Sequence, residues 1–213
     1  MPLKRREEEI PKFDSERRRR DRNFESLISQ LDNPSASERR WAARDLAQYS
    51  EASPYLLKFL QKERDISVRE VILSSLLAIK DEVAIKGLID LLNSDDALLR
   101  NEVIETLKEM PEEVAPYIEK LINQDNSDLR IFAINIMESL RHPKVLVWLK
   151  EILEKDKNVN VIANALDLVA EVGTEEFLPL IEKVKDTFKD EPYIQFVADL
   201  AIGRINEGKV CDR

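Results

Sequence analysis

The sequence holds a single histidine, His142, and a single cysteine, Cys211, so the side chains that most often act as nucleophiles, proton carriers or metal ligands are scarce. Ser–His or Cys–His catalysis and metal ligation need a histidine held by other convergent groups. His142 stands beside Pro143 with no such group near it, and a capping or surface role is expected. Cys211 cannot form an internal disulfide and reads as a plain thiol. With four glycines and neither GxxxxGKS/T nor GxGxxG, a phosphate-cradling loop lacks its backbone. Carboxylates are abundant, as in Glu7-Glu8-Glu9, Asp95-Asp96 and Glu112-Glu113. Such runs are usually solvated faces or helix starts, and a catalytic pair needs a closed pocket to tune it. No catalytic residue, metal or cofactor is assigned, and the balance favours a non-enzymatic role.

Charge narrows the partners. Residues 1–22 hold nine Lys/Arg and six Asp/Glu, a balance of +3, whereas the rest holds 24 basic and 36 acidic residues, or −12. A body that acidic repels phosphate backbones, so nucleic-acid binding by it is not expected. The start of the chain has no apolar stretch after its basic residues, and no run approaches the length that spans a bilayer. A cytoplasmic location follows as the simplest expectation.

The elements that must position any site form a repeat. ERRWAARDLAQY, SVREVILSSLLAI, LLRNEVIETLKEM and DLRIFAINIMESL each place an Arg seven residues before a large aliphatic residue. The pairs are Arg39 with Leu46, Arg69 with Leu76, Arg100 with Leu107 and Arg130 with Met137, and successive arginines lie 30, 31 and 30 residues apart. Two further copies are read with Val159 before Leu166 and Tyr193 before Leu200. Apolar residues three, four and seven apart make each copy a helix, and a second apolar stripe precedes each one, such as Phe24, Leu27, Ile28 and Leu31. Ser53-Pro54 and His142-Pro143 put Pro where a first helical turn accepts it, and Gly173-Thr174 reads as a helix stop followed by an N-cap. The unit is a helical hairpin of about 30 residues, present six times.

This pattern of a polar turn, an aliphatic residue, Arg and an apolar helix resembles the short HEAT repeat, in particular the variety found in phycobilisome lyases. The resemblance covers about residues 24–205. It implies an all-α fold: a right-handed superhelical solenoid with first helices outside and second helices lining a concave face. A hairpin this short cannot bury its stripe alone, so stacking is required on physical grounds as well. The expected division is a charged arm (1–22), a repeat domain (23–206) and a tail (207–213). Arg39, Arg69, Arg100 and Arg130 are expected to be structural, with buried stems bonded to a carboxylate or carbonyl of an adjacent turn. HEAT-like enzymes with a di-iron centre use His-Glu pairs, and this chain has none.

If the second helices line a groove, the second and fifth residues after each Arg face it. That selects Trp41, Arg44, Glu102, Glu105, Phe132, Asn135 and Asn164 as a partner-binding surface, together with Val71, Val161, Gln195, Ser74 and Ala198. Trp and Arg are frequent interface anchors, although Trp41 and Phe132 fit a place between repeats equally well. The arm's Arg17, Arg18, Arg19, Arg20 and Arg22 read either as a solvated helix end or as a docking arm for an acidic protein surface, a membrane headgroup layer, nucleic acid or the acidic body of another copy. The favoured function is a scaffold or adaptor that grips another protein. The alternative implied by the resemblance is a subunit of a bilin lyase or a lyase-like chaperone, and a HEAT-like alkylpurine glycosylase is disfavoured by charge.

Overall fold

The structure is a computed structural model in which residues 23–140 and 142–211 are described, with side chains through 207. Twelve α-helices and two 3-10 turns, with no strand, make up the regular structure among those residues. The first six helices are α1 (Phe24–Gln30), α2 (Ala36–Leu46), α3 (Ser53–Lys62), α4 (Ile66–Ile79), α5 (Glu82–Leu91) and α6 (Ala97–Lys108). The second six are α7 (Pro111–Ile122), α8 (Ser127–Met137), α9 (Val145–Lys155), α10 (Val159–Val172), α11 (Leu178–Thr187) and α12 (Pro192–Cys211).

Helix starts follow the polar turns. Side-chain oxygens of Asn23, Asp65, Asp81, Asp96, Asn126 and Asn158 accept first-turn amides of α1, α4, α5, α6, α8 and α10. Pro occupies the first turn of α3, α7 and α11, where its missing N–H costs nothing. Two details differ from the sequence reading. Pro143 lies in the turn before α9 rather than inside its first turn, because α9 begins at Val145. Gly173 does end α10, but Thr174 makes no side-chain cap and opens only a 3-10 turn, Glu175–Phe177, before α11. Gly173 has ordinary negative φ; its need is space, since a Cβ there would sit 2.4 Å from the Val169 carbonyl oxygen.

Consecutive helices pair as six hairpins, α1–α2 through α11–α12. Odd helices from α3 to α11 pack on odd neighbours, and even helices from α2 to α12 pack on even ones. The result is a two-layer α-solenoid with one continuous apolar core from Leu27 to Ile205. Leu46, Leu76, Leu107 and Met137, the aliphatic partners of the repeat arginines, are fully buried along its spine. Ser75 adds a polar cross-tie, its hydroxyl donating to the Ala43 carbonyl of the preceding repeat at 2.9 Å. Among the described residues, no helix is long and apolar enough to cross a membrane.

Candidate functional site

The even helices are best aligned by counting from their N-caps, and this places each arginine. Arg39, Arg69, Arg100 and Arg130 are each the fourth residue after Ser35, Asp65, Asp96 and Asn126. From there Arg39 reaches forward to Glu63 of the next hairpin with two bonds, Nε to Oε2 at 2.7 Å and Nη2 to Oε1 at 3.0 Å. It also reaches back to the carbonyls of Asn33 and Pro34 in its own turn. Arg130 repeats the arrangement, with two bonds to Asp156 and two to the carbonyls of Gln124 and Asp125. Arg69 pairs with Asp96, which is also the cap of α6. Arg100 donates to the Ser94 carbonyl at 2.6 Å and lies over the Phe132 ring. Planar, bidentate Arg–carboxylate bonds fix orientation as well as distance, so Arg39 and Arg130 each tie one hairpin to the next in a defined geometry.

The same count corrects the last two repeats. The fourth residue after Asn158 is Ile162, not Val159, and the fourth after Glu191 is Gln195, not Tyr193. Gln195 does part of the arginine's work, donating to the carbonyls of Lys185 and Phe188 in its own hairpin. Val161 and Ala198, expected in a groove, are instead fully buried. Leu200, read as the buried partner of Tyr193, is exposed. Helix α10 is apolar on every side but the one carrying Asn160, Asn164, Asp167 and Glu171, so its apolar residues fit several registers, and Asn158 and Pro192 are the residues that set it.

With the register corrected, the sixth residues after the caps are Trp41, Val71, Glu102, Phe132, Asn164 and Val197, and the ninth are Arg44, Ser74, Glu105, Asn135, Asp167 and Leu200. Equivalent positions on stacked helices form rows, and these rows lie on the face of the even layer turned away from the odd helices, except that Val197 of α12 is buried. Trp41, Arg44, Glu102, Glu105, Phe132, Asn135 and Asn164 therefore share one face. Phe132 also packs against the core, whereas Arg44 is exposed. Residues missed from the sequence are Tyr193, Phe196 and Leu200 of α12, which bring exposed apolar surface onto the same face.

A cavity of about 390 Å³ opens between α4 and α6, with Ile66, Leu73 and Leu77 on its walls beside Glu70, Glu102, Glu105 and Glu109. Burial pushes the Glu102 carboxyl above its ordinary value; Arg69 opposes this and Asp96 adds to it. Glu102 Oε2 and Arg69 Nε are 3.7 Å apart, and neither has a hydrogen bond. Lys108 pairs with Glu105 of its own helix and reaches across to Glu138 at the C-terminal end of α8. A larger cavity, about 550 Å³, borders the Arg130–Asp156 clasp at the turns, where Lys155 and Glu151 are paired as well. His142 accepts from the Lys144 amide and stacks on Trp148, a capping arrangement. No cluster of three or more His, Cys, Asp or Glu suited to a metal is found among the described residues. The basic arm with Arg17, Arg18, Arg19, Arg20 and Arg22 lies outside the described residues.

Helices α1–α6 contain three stacked pairs and the first three arginines of the row, and it is this stretch that matches a family: residues 24–108 fit the HEAT repeats model. Residues 24–108 are HEAT repeats. The three hairpins beyond them continue the HEAT-like stack with the same two layers. No curated protein matches the chain in sequence. Among solved structures, an engineered protein aligns with TM-score 0.40 and 18% identity, covering 86% of this chain and 96% of that one. The complex of CpcE and CpcF of phycocyanin lyase from Nostoc sp. PCC7120 aligns with TM-score 0.36 and 20% identity, covering 86% of this chain and 81% of that one.

Proposed function

We propose that this HEAT-repeat protein is a non-catalytic scaffold that holds a partner protein along the open face of its even helices. The observation that carries the reading is a run of interaction-prone side chains on that one face. It starts with Trp41 and Arg44 on α2, passes the α4–α6 cavity and Asn135, and reaches Tyr193, Phe196 and Leu200 on α12. Rigid helices present these groups without the entropy cost of ordering a loop, and Trp, Tyr and Arg are the residues on which interface energy concentrates. The stacked repeats hold the rows in fixed register through the arginine clasps. Such a surface suits recognition of an extended stretch of protein.

The test is capture of a partner by the full chain and by two surface variants. Trp41→Ala with Arg44→Ala on the open face should abolish stoichiometric capture while leaving the helical circular dichroism intact. Val147→Asp, on the exposed outer surface of α9, should capture normally. The opposite result, with the α9 variant losing the partner and the α2 variant keeping it, would overturn the reading. An absorbance change on mixing with bilin would redirect it toward a lyase subunit.

A further inference from the structure

We infer that the partner segment seated on this face is basic and carries a bulky apolar anchor, with the anchor on α12 and the positive charge in the α4–α6 cavity. This rests on the scaffold reading and specifies its partner.

The anchor site is a stripe on α12. Tyr193, Phe196 and Leu200 are three and four residues apart, so they lie on one side of the helix, and they are 55%, 65% and 40% exposed. Gly203 continues the stripe with no atom within 4 Å of where a Cβ would stand, leaving room beside it. The opposite side, with Ile194, Val197, Ala198 and Ala201, is buried. The side on which a further hairpin would stack is different again. In inner repeats the residues buried between hairpins are the fourth, eighth and eleventh after the cap, as in Arg69, Leu73 and Leu76. On α12 these are Gln195, Asp199 and Ile202. Gln195 is bonded to carbonyls, Asp199 is bonded to Lys185 and Ile202 packs against the core, so that side is distinct from the exposed stripe. The apolar stripe is therefore not an unfinished stacking surface. It belongs to the open face, where three large apolar side chains in water call for a partner.

The rest of the face states that partner's charge. Between α4 and α10 it carries Glu70, Glu102, Glu105, Glu109, Asp167 and Glu171. Between those helices its cation among the described residues is Lys108, already held by Glu105 and Glu138, while Arg44 on α2 and Arg204 on α12 stand at the two ends. Burial, and after it the neighbouring Glu171, push the Asp167 carboxyl up, with Arg204 opposing, so this carboxylate is short of water and sits beside like charge. A cation brought alongside relieves that crowding. The cavity pairs these carboxylates with the aliphatic walls of Ile66, Leu73 and Leu77, which suits a Lys or Arg side chain whose stem is apolar and whose head is charged. From α6 to α12 there are three helix spacings of roughly 8–10 Å each. An extended chain covers that distance in about 7–9 residues at roughly 3.3 Å each.

The probe is a fluorescent 14-residue synthetic peptide with three consecutive Lys/Arg and a Phe-Leu pair eight residues away, titrated against the full chain by fluorescence anisotropy at low and high salt. Binding should weaken with salt and vanish for a control with Glu replacing each Lys/Arg. Phe196→Ala with Leu200→Ser should weaken binding at least tenfold at both salt levels. Glu105→Gln with Glu109→Gln should weaken it about as much at low salt and flatten the salt dependence. All four side chains are exposed, and unchanged helical dichroism confirms that the variants fold. Equal binding of the Glu control, or indifference to both double variants, overturns the inference. So does binding seen only after Arg17–Arg20 and Arg22 are replaced by Ser, because the occupant is then the chain's own arm. A captured partner that depends on Trp41 and Arg44 but offers no basic segment sinks this inference alone. A partner captured through α9 sinks the scaffold reading with it.

Discussion

Replacing Arg130 by Ala tests whether the clasps, rather than apolar stacking alone, hold neighbouring hairpins in register. Arg130 and Asp156 are 15% and 7% exposed, and their two bonds measure 2.6 and 3.1 Å. Removing the guanidinium leaves Asp156 with the Asn158 amide as its remaining bond, and leaves the Gln124 and Asp125 carbonyls to find water. Stranding one partner of a buried ion pair costs about 3–5 kcal/mol. Because both groups keep some contact with solvent and Asp156 keeps one hydrogen bond, the lower end, about 3 kcal/mol, is expected. Urea unfolding followed by circular dichroism, with a slope of roughly 2–3 kcal/mol/M for a chain of this size, should show the midpoint falling by about 1–1.5 M. A second variant, Arg130→Met with Asp156→Leu, should recover most of the loss, since it removes the stranded charge together with its partner. A midpoint drop under about 0.3 M for Arg130→Ala, equivalent to less than about 1 kcal/mol, would refute the reasoning.

Gln124 stands two residues before the α8 cap, the position that Glu63 and Asp156 hold before theirs, and it offers Arg100 no carboxylate. Gln124→Glu should complete the missing clasp and raise the urea midpoint by a few tenths molar, the share of roughly 1 kcal/mol expected for a partly exposed charged bond. Two half-buried glutamates, Glu63 and Glu102, should titrate with opposite sign. Burial raises the Glu63 carboxyl, but the Arg39 bond and the Asp65 and Arg64 amides outweigh it and leave it below its ordinary value. Its contribution is therefore complete above the unfolded carboxylate value of about 4.3 and is lost as pH falls through the folded one. Glu63→Gln should thus cost stability at pH 7 and converge on the parent in acid. Glu102 is raised, so its ionisation weakens the fold as pH rises, and Glu102→Gln should be neutral or stabilising at pH 7 and indistinguishable below about pH 4. Unfolding midpoints at the two pH values check both signs.

The hairpin count and the arginine row were legible in the sequence because each is local, whereas the two layers of helices came from the resemblance to HEAT repeats. An apolar stripe at helical spacing, a capping oxygen and an Arg four residues later are set by neighbours along the chain, and Leu46, Leu76, Leu107 and Met137 duly fill the core. Which carboxylate each Arg meets depended on the stacking angle: Glu63 and Asp156 lie just ahead of the next cap, Asp96 is the cap itself, and Arg100 finds none. The faces of the last two repeats were also a tertiary matter. On α10, buried on three sides, the stripe does not distinguish Val159 from Ile162, and on α12 an apolar residue can point to core or water with the same spacing. Only the packing of α12 on α10 decided that Val197 and Ala198 go in and that Tyr193, Phe196 and Leu200 stay out. Periodicity reports that a helix has an apolar side, whereas the neighbour that side meets is chosen by contacts far apart in the chain.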